Sequence, residues 1–183
     1  GHLSEFQRPW GTRTQCVGTK AGDILRSARA FSTQTEVWDA RPVLPTSRDW
    51  VIFDLEGFPP QLDKEEMVFV WGMQVFGDHP GEYIATTPSA RPNGDQVAWI
   101  EFLRRAAEIF RRYGDIPFVH WATYERDRLQ KYVARFGDRD GIAARISANL
   151  FDLLPSVRNR GSLPLPSYSL KWIETYVGYR RPQ

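Results

Sequence analysis

VIFDLEG, residues 51–57, puts two acids one residue apart near the end of an otherwise apolar run. Side chains of a strand alternate between its faces, so Val51, Phe53 and Leu55 point one way and Ile52, Asp54 and Glu56 the other. The two carboxylates therefore stand side by side. Acids at a strand end serve as punctuation for the loop that follows, here GFPPQ (57–61); two carboxylates at the mouth of a sheet also hold a divalent cation. Both readings stay open on this stretch alone, and partners elsewhere in the chain have to separate them.

Working outward, MVFVWGMQVFG (67–77) reads as a longer strand and EYIATT (82–87) as a third. The turn formers of GDHPG (77–81) between them predict an antiparallel hairpin. From Asp95 the apolar period lengthens to about 3.6 residues. Val97, Ile100, Leu103, Ala107 and Phe110 fall on one face, with Arg104, Arg105, Arg111 and Arg112 largely off it, which predicts an amphipathic helix ending near Gly114. IPFVHW (116–121) reads as a short buried strand, and Thr123 is placed to cap a helix striped with Leu129, Tyr132, Val133 and Phe136. After GDRDG (137–141) comes a helix to about Leu150, then FDLLPSVRNR, the Pro-rich loop SLPLPSYS, and a helix from about Ser169 through Tyr176.

Upstream, residues 1–49 read as an arm: a short helix over AGDILRSARAF (21–31) and the Pro-containing connector ARPVLPTSRDW (40–50) leading into a domain over 50–183. Three strands in a meander, then helix, strand, helix and helix, predict an α/β fold of ribonuclease H-like type. Its mixed sheet would have antiparallel strands 1–3 plus a parallel strand, with helices flanking it. A doubly wound nucleotide-binding sheet fits less well, since it should open with βαβ and a Gly-rich turn, and neither GxGxxG nor GxxxxGK[ST] is present.

At 183 residues, 42% of them hydrophobic, the chain is sized for one folded core. The single Cys16 cannot form an internal disulfide, which points to a reducing cytoplasm. No apolar run approaches the roughly 18 residues of a membrane helix, and GHLSEFQRPW carries no signal-peptide core. It also lacks an initiating Met, so a fragment of a longer protein with further domains is expected. Net charge is only +2, yet Lys20, Lys64, Lys131 and Lys171 are the only lysines among 24 basic residues. Arginine's planar fork suits phosphate, and a GC-rich genome would give the same bias.

Three further segments offer partners for the acid pair. In VHWATYERDRL (119–129) an apolar strand ends at His120, and Tyr124, Glu125 and Asp127 occupy the first turn of the next helix. There acids complement the helix dipole, and Glu125 at a strand-to-helix junction also reaches the mouth of a sheet. Asp152 sits between Phe151 and Leu153, as a cap, an arginine partner or a ligand. Lys171, behind the cap position Ser169, is either solvated or a phosphate contact.

Together FDLEG (53–57), VHWATYE (119–125), FDLLPSVR (151–158) and YSLKWIE (168–174) resemble the YprB-type ribonuclease H-like domain that accompanies RecB-family nucleases, itself similar to the DnaQ-like DEDD 3′–5′ exonucleases. The resemblance spans roughly residues 50–179. It implies that Asp54, Glu56 and Glu125 ligate two Mg2+ or Mn2+ ions and act as catalytic residues, supported by Asp152, His120 and Asp127. It further implies single-stranded DNA or RNA as substrate, contacted by Lys171, Tyr124 and Arg126. Trp121 replaces the family's usual Asn, Glu125 its Asp, and no YxxxD or HxxxxD follows the YSLK segment. Truncation before the last motif, a substitute acid such as Asp127 or Glu174, or a nucleic-acid-binding module without cleavage are the alternatives that the missing motif leaves.

Overall fold

Val51, Phe53 and Leu55 are buried while Ile52, Asp54 and Glu56 are exposed, the alternation of a strand with one face on a core. The computed structural model describes residues 2–58 and 66–180; the loop expected after Gly57 lies outside them from Pro59 on, as does the chain end from Arg181. In chain order the elements are β1 (Gln7–Trp10), β2 (Arg13–Cys16), α1 (Ala21–Thr33), β3 (Val37–Trp38), β4 (Asp49–Phe58), β5 (Met67–Gly77), β6 (Ile84–Thr86), α2 (Gly94–Tyr113), β7 (Phe118–His120), α3 (Tyr124–Phe136), α4 (Ile142–Ala148), β8 (Leu150–Asp152), α5 (Leu153–Arg158), β9 (Gly161–Ser162) and α6 (Leu170–Tyr176). They gather into two compact units, one of residues 44–153 and one of residues 1–43 with 154–183.

The 44–153 unit is an α/β structure built on a five-stranded mixed sheet of order β6-β5-β4-β7-β8. β4 runs antiparallel to β5, and β5 to β6, whereas β4–β7 and β7–β8 are parallel. The hairpin expected across GDHPG is present, with Gly77 at φ 127° and the Gly81 N–H donating to Val75 O. β8 is a strand that the sequence pattern did not announce.

α2, α3 and α4 flank the sheet through a core that includes Phe53, Trp71, Met73, Phe102, Phe118, Leu129 and Ile146. Trp71 is its hub, with ring centroids of Phe102, Tyr132 and Trp99 at 4.5, 4.7 and 5.2 Å. Burying each such ring contributes on the order of 1.5–3 kcal/mol. The face of α2 differs from the expected stripe: Val97 and Ile100 are exposed, and Ala98, Trp99, Phe102, Leu103, Ala106, Ile109 and Phe110 are buried. The helix turns to bury Trp99 and Phe102 against Trp71, and the Trp99 Nε1–H is satisfied by Gly137 O at 2.9 Å. Thr123 and Ser169 occupy the expected cap positions of α3 and α6, without side-chain cap hydrogen bonds.

The second unit pairs β1 with β2 in an antiparallel hairpin turning at Gly11 (φ 58°), and β3 with β9, also antiparallel. Arg26 of α1 ties this unit together, bonding Asp23, Asp39, Ser162 Oγ and Arg158 O. Tyr176 of α6 donates to Glu36 at 2.6 Å, which holds that carboxyl below its usual range. Among the described residues no helix is long and apolar enough to cross a membrane.

Candidate active site

β4 is the central strand, and it ends in the acid pair. Asp54 stands opposite Gly72 and Glu56 opposite Val70, and the register slips between Glu56 and Gly57. Such a bulge re-aims side chains and is over-represented beside active sites. Asp54 and Glu56 share the face of β4 turned away from α2, and both are exposed. Two glycines flank them. A Cβ on Gly72 would stand 2.7 Å from Tyr83 Oη, so the Tyr83 hydroxyl lies over the strand position facing Asp54. A Cβ on Gly57 would collide with Tyr124 Oη.

Tyr83 is a residue that the sequence pattern missed. It lies just before a three-residue edge strand, and its approach to Asp54 depends on the Gly72–Ala85 pairing of β5 with β6. Tyr124 is gripped from behind by Arg128, whose guanidinium lies 4.6 Å from its ring centroid and is ion-paired to Glu66. Both members of that pair are nearly buried.

His120 and Glu125 are brought together on the other face. His120 shares a face of β7 with the core residue Phe118, and both His120 and Glu125 are 5% exposed. His120 Nδ1 lies 3.5 Å from Glu125 Oε2, within ion-pair range but without hydrogen-bond geometry, and neither atom has a hydrogen-bond partner among the described residues. Asp152 lies across from His120 in the β7–β8 pairing, and its Oδ1 accepts the Ala122 N–H at 2.9 Å.

Asp127 and Arg126 are half exposed and approach each other at 3.5 Å. Lys171 is exposed on α6 in the other unit. Arg104 and Arg105 are engaged by Glu101 and Glu108 along their own helix, so much of the arginine face is neutralised locally.

Among the described residues no group of three or more His, Cys, Asp and Glu side chains stands together as a metal cage. Two carboxylates on one exposed face nevertheless fit Mg2+, which takes one or two protein carboxylates and fills its octahedron with water and substrate phosphate. Asp54 and Glu56 offer that much. The unpartnered oxygen of Glu125 is a third hard donor, on the helix-covered side of the sheet.

No curated protein and no solved structure matches the chain. The profile of the RNase H superfamily matches residues 51–183, from the first core residue of β4 to the end of the chain. With the five-stranded mixed sheet and the acids on its central strand, that match identifies the chain as belonging to the RNase H superfamily, a nuclease-type fold.

Proposed function

We propose that this chain is a metal-dependent nuclease domain that trims single-stranded DNA or RNA from the 3′ end, of the YprB type within the DnaQ-like DEDD group. The carrying observation is the Asp54–Glu56 pair, exposed on one face of the central strand beside a register slip. Two Mg2+ or Mn2+ ions bound by these acids would supply an activated water and charge stabilisation for phosphodiester hydrolysis. The chain's own contribution is to present Asp54 and Glu56 to a phosphate and to keep Glu125 oriented by the turn that Asp152 holds. Tyr83, over Gly72, supplies a hydroxyl beside Asp54, and Tyr124 closes the end of β4. Arg126 and Lys171 serve as strand contacts in this reading, and an exposed lone Cys16 suits a reducing cytoplasm.

A second reading, a nucleic-acid-binding module without cleavage, is favoured by the lack of a three-acid group among the described residues. The two separate in one experiment. Manganese is titrated calorimetrically into the wild type and into Asp54→Ala, Glu56→Ala, and 5′-labelled single strands are then followed on a sequencing gel. Saturable binding and a ladder shortening from the 3′ end, both lost in the double variant, are expected. Full metal-dependent cleavage by the variant would sink the nuclease assignment of this pair, and strand binding without cleavage would favour the module.

A further inference from the structure

The unit of residues 1–43 and 154–183 contains a cavity of about 250 Å3 whose walls include Arg26, Ser27, Arg158, Asn159, Ser162 and Tyr168. One buried water needs only on the order of 10–15 Å3, so this is space for a ligand. The Ser162 side chain is 2% exposed. Its Oγ lies 3.1 Å from Ser27 Oγ and accepts Arg26 Nε–H at 3.3 Å.

Counting protons gives the cavity its character. Two hydroxyls carry two protons, and the bond between them uses one, whichever serine donates. Arg26 is a donor and takes up neither. One hydroxyl proton on the cavity wall is therefore left with no acceptor among the described residues.

The charges divide in the same way. Arg26 is spent on Asp23 at 2.7 Å, Asp39 and the Arg158 carbonyl. Asp23, which also lines the cavity, shares the single Arg26 charge with Asp39 and is offset by it only in part. Arg158 has no carboxylate partner among the described residues; its guanidinium lies over the Tyr168 ring, 5.4 Å from the centroid. That ring is fixed by the Leu163 N–H, which donates to Tyr168 Oη at 2.7 Å. A guanidinium held over a ring keeps its in-plane N–H fork available.

We propose that this cavity binds a phosphate group, with Arg158 supplying charge and the Ser27–Ser162 pair supplying the leftover hydroxyl proton. A phosphate presents oxygens in several directions out of one plane, which suits donors set on different walls better than the in-plane oxygens of a carboxylate. Asn159, which also lines the cavity, carries an amide that can serve as a further donor. The site lies in a different unit from Asp54 and Glu56, so it stands whether or not that pair cleaves anything.

The test is calorimetry at low salt with two probes, inorganic phosphate and a twelve-residue thymidine oligonucleotide. The proteins are the wild type, Arg158→Gln, Ser162→Ala, and Arg111→Gln as a matched charge removal elsewhere. Saturable binding at or below about 1 mM is expected. Arg158→Gln should weaken it at least tenfold, Ser162→Ala several-fold, and Arg111→Gln not at all. Arg158-dependent binding of the oligonucleotide assigns the phosphate to a nucleic-acid strand; Arg158-dependent binding of inorganic phosphate alone assigns it to a free phosphate or monoester. No saturable binding of either probe by the wild type, or equal weakening by Arg158→Gln and Arg111→Gln, overturns the proposal.

Discussion

The Asp152 carboxylate accepts the backbone N–H of Ala122 at 2.9 Å, and Ala122 sits at φ 67°, a left-handed conformation that alanine rarely adopts. The end of β8 thus holds the sharp turn between β7 and α3, the turn that delivers Glu125 beside His120. Left-handed geometry costs a non-glycine residue about 1–2 kcal/mol, and the charged hydrogen bond offsets part of this. Asp152→Ala should lose about 1–3 kcal/mol in urea unfolding, whereas Ala122→Gly should be neutral or stabilising. Equal destabilisation by both would mean that the turn is held by something else.

Gly72 makes room for Tyr83. A methyl there meets Tyr83 Oη at 2.7 Å and the Asp54 carbonyl oxygen at 3.0 Å. Gly72→Ala should destabilise by about 1–3 kcal/mol and displace Tyr83. In a Tyr83→Ala background the cost should fall, a coupling that a double-mutant cycle reads directly. Strict additivity would show that the hydroxyl does not rest on this glycine.

Asp49, at the start of β4, accepts both the ring nitrogen of His79 at 2.9 Å and its backbone N–H at 2.7 Å. The ring bond first, then the backbone bond, hold its carboxyl below the usual value of 3.8, against the opposing effect of burial. Folded protein therefore binds fewer protons at this site than unfolded protein as acid is added. The contribution is fully present above the unfolded value and is lost as pH falls through the lowered one. Asp49→Asn should flatten the acid limb of a stability–pH curve below about pH 4. An unchanged limb would remove Asp49 from the account.

Tyr132 bridges two elements, its hydroxyl accepting Val68 N–H at 2.8 Å and donating to Asp95 at 2.6 Å. Burial, reinforced by Asp95, raises this hydroxyl well above the ordinary tyrosine range. Tyr132→Phe leaves the buried Val68 N–H without its acceptor and should cost about 1–3 kcal/mol by chemical denaturation. A loss much below 1 kcal/mol would mean that water replaces the hydroxyl.

The strands and helices with room to show a period were legible in the sequence. Residues 51–57 alternate with a period of two and residues 124–136 repeat at about 3.6, while 67–77 is marked by its run of β-branched and aromatic residues; all of these are local properties of the chain. The exposed face shared by Asp54 and Glu56 follows from the same alternation. β8 was not legible, because Leu150–Asp152 between two helices is too short to display a period.

Pairings across long stretches of chain were decided only in three dimensions. Val37 meets Ser162, the Tyr83 hydroxyl covers Gly72, and α2 rotates to put Trp99 and Phe102 on Trp71. Sequence fixes which side chains each element offers. Which of them meet depends on non-local packing, where the largest rings claim the core and the polar groups settle where partners remain.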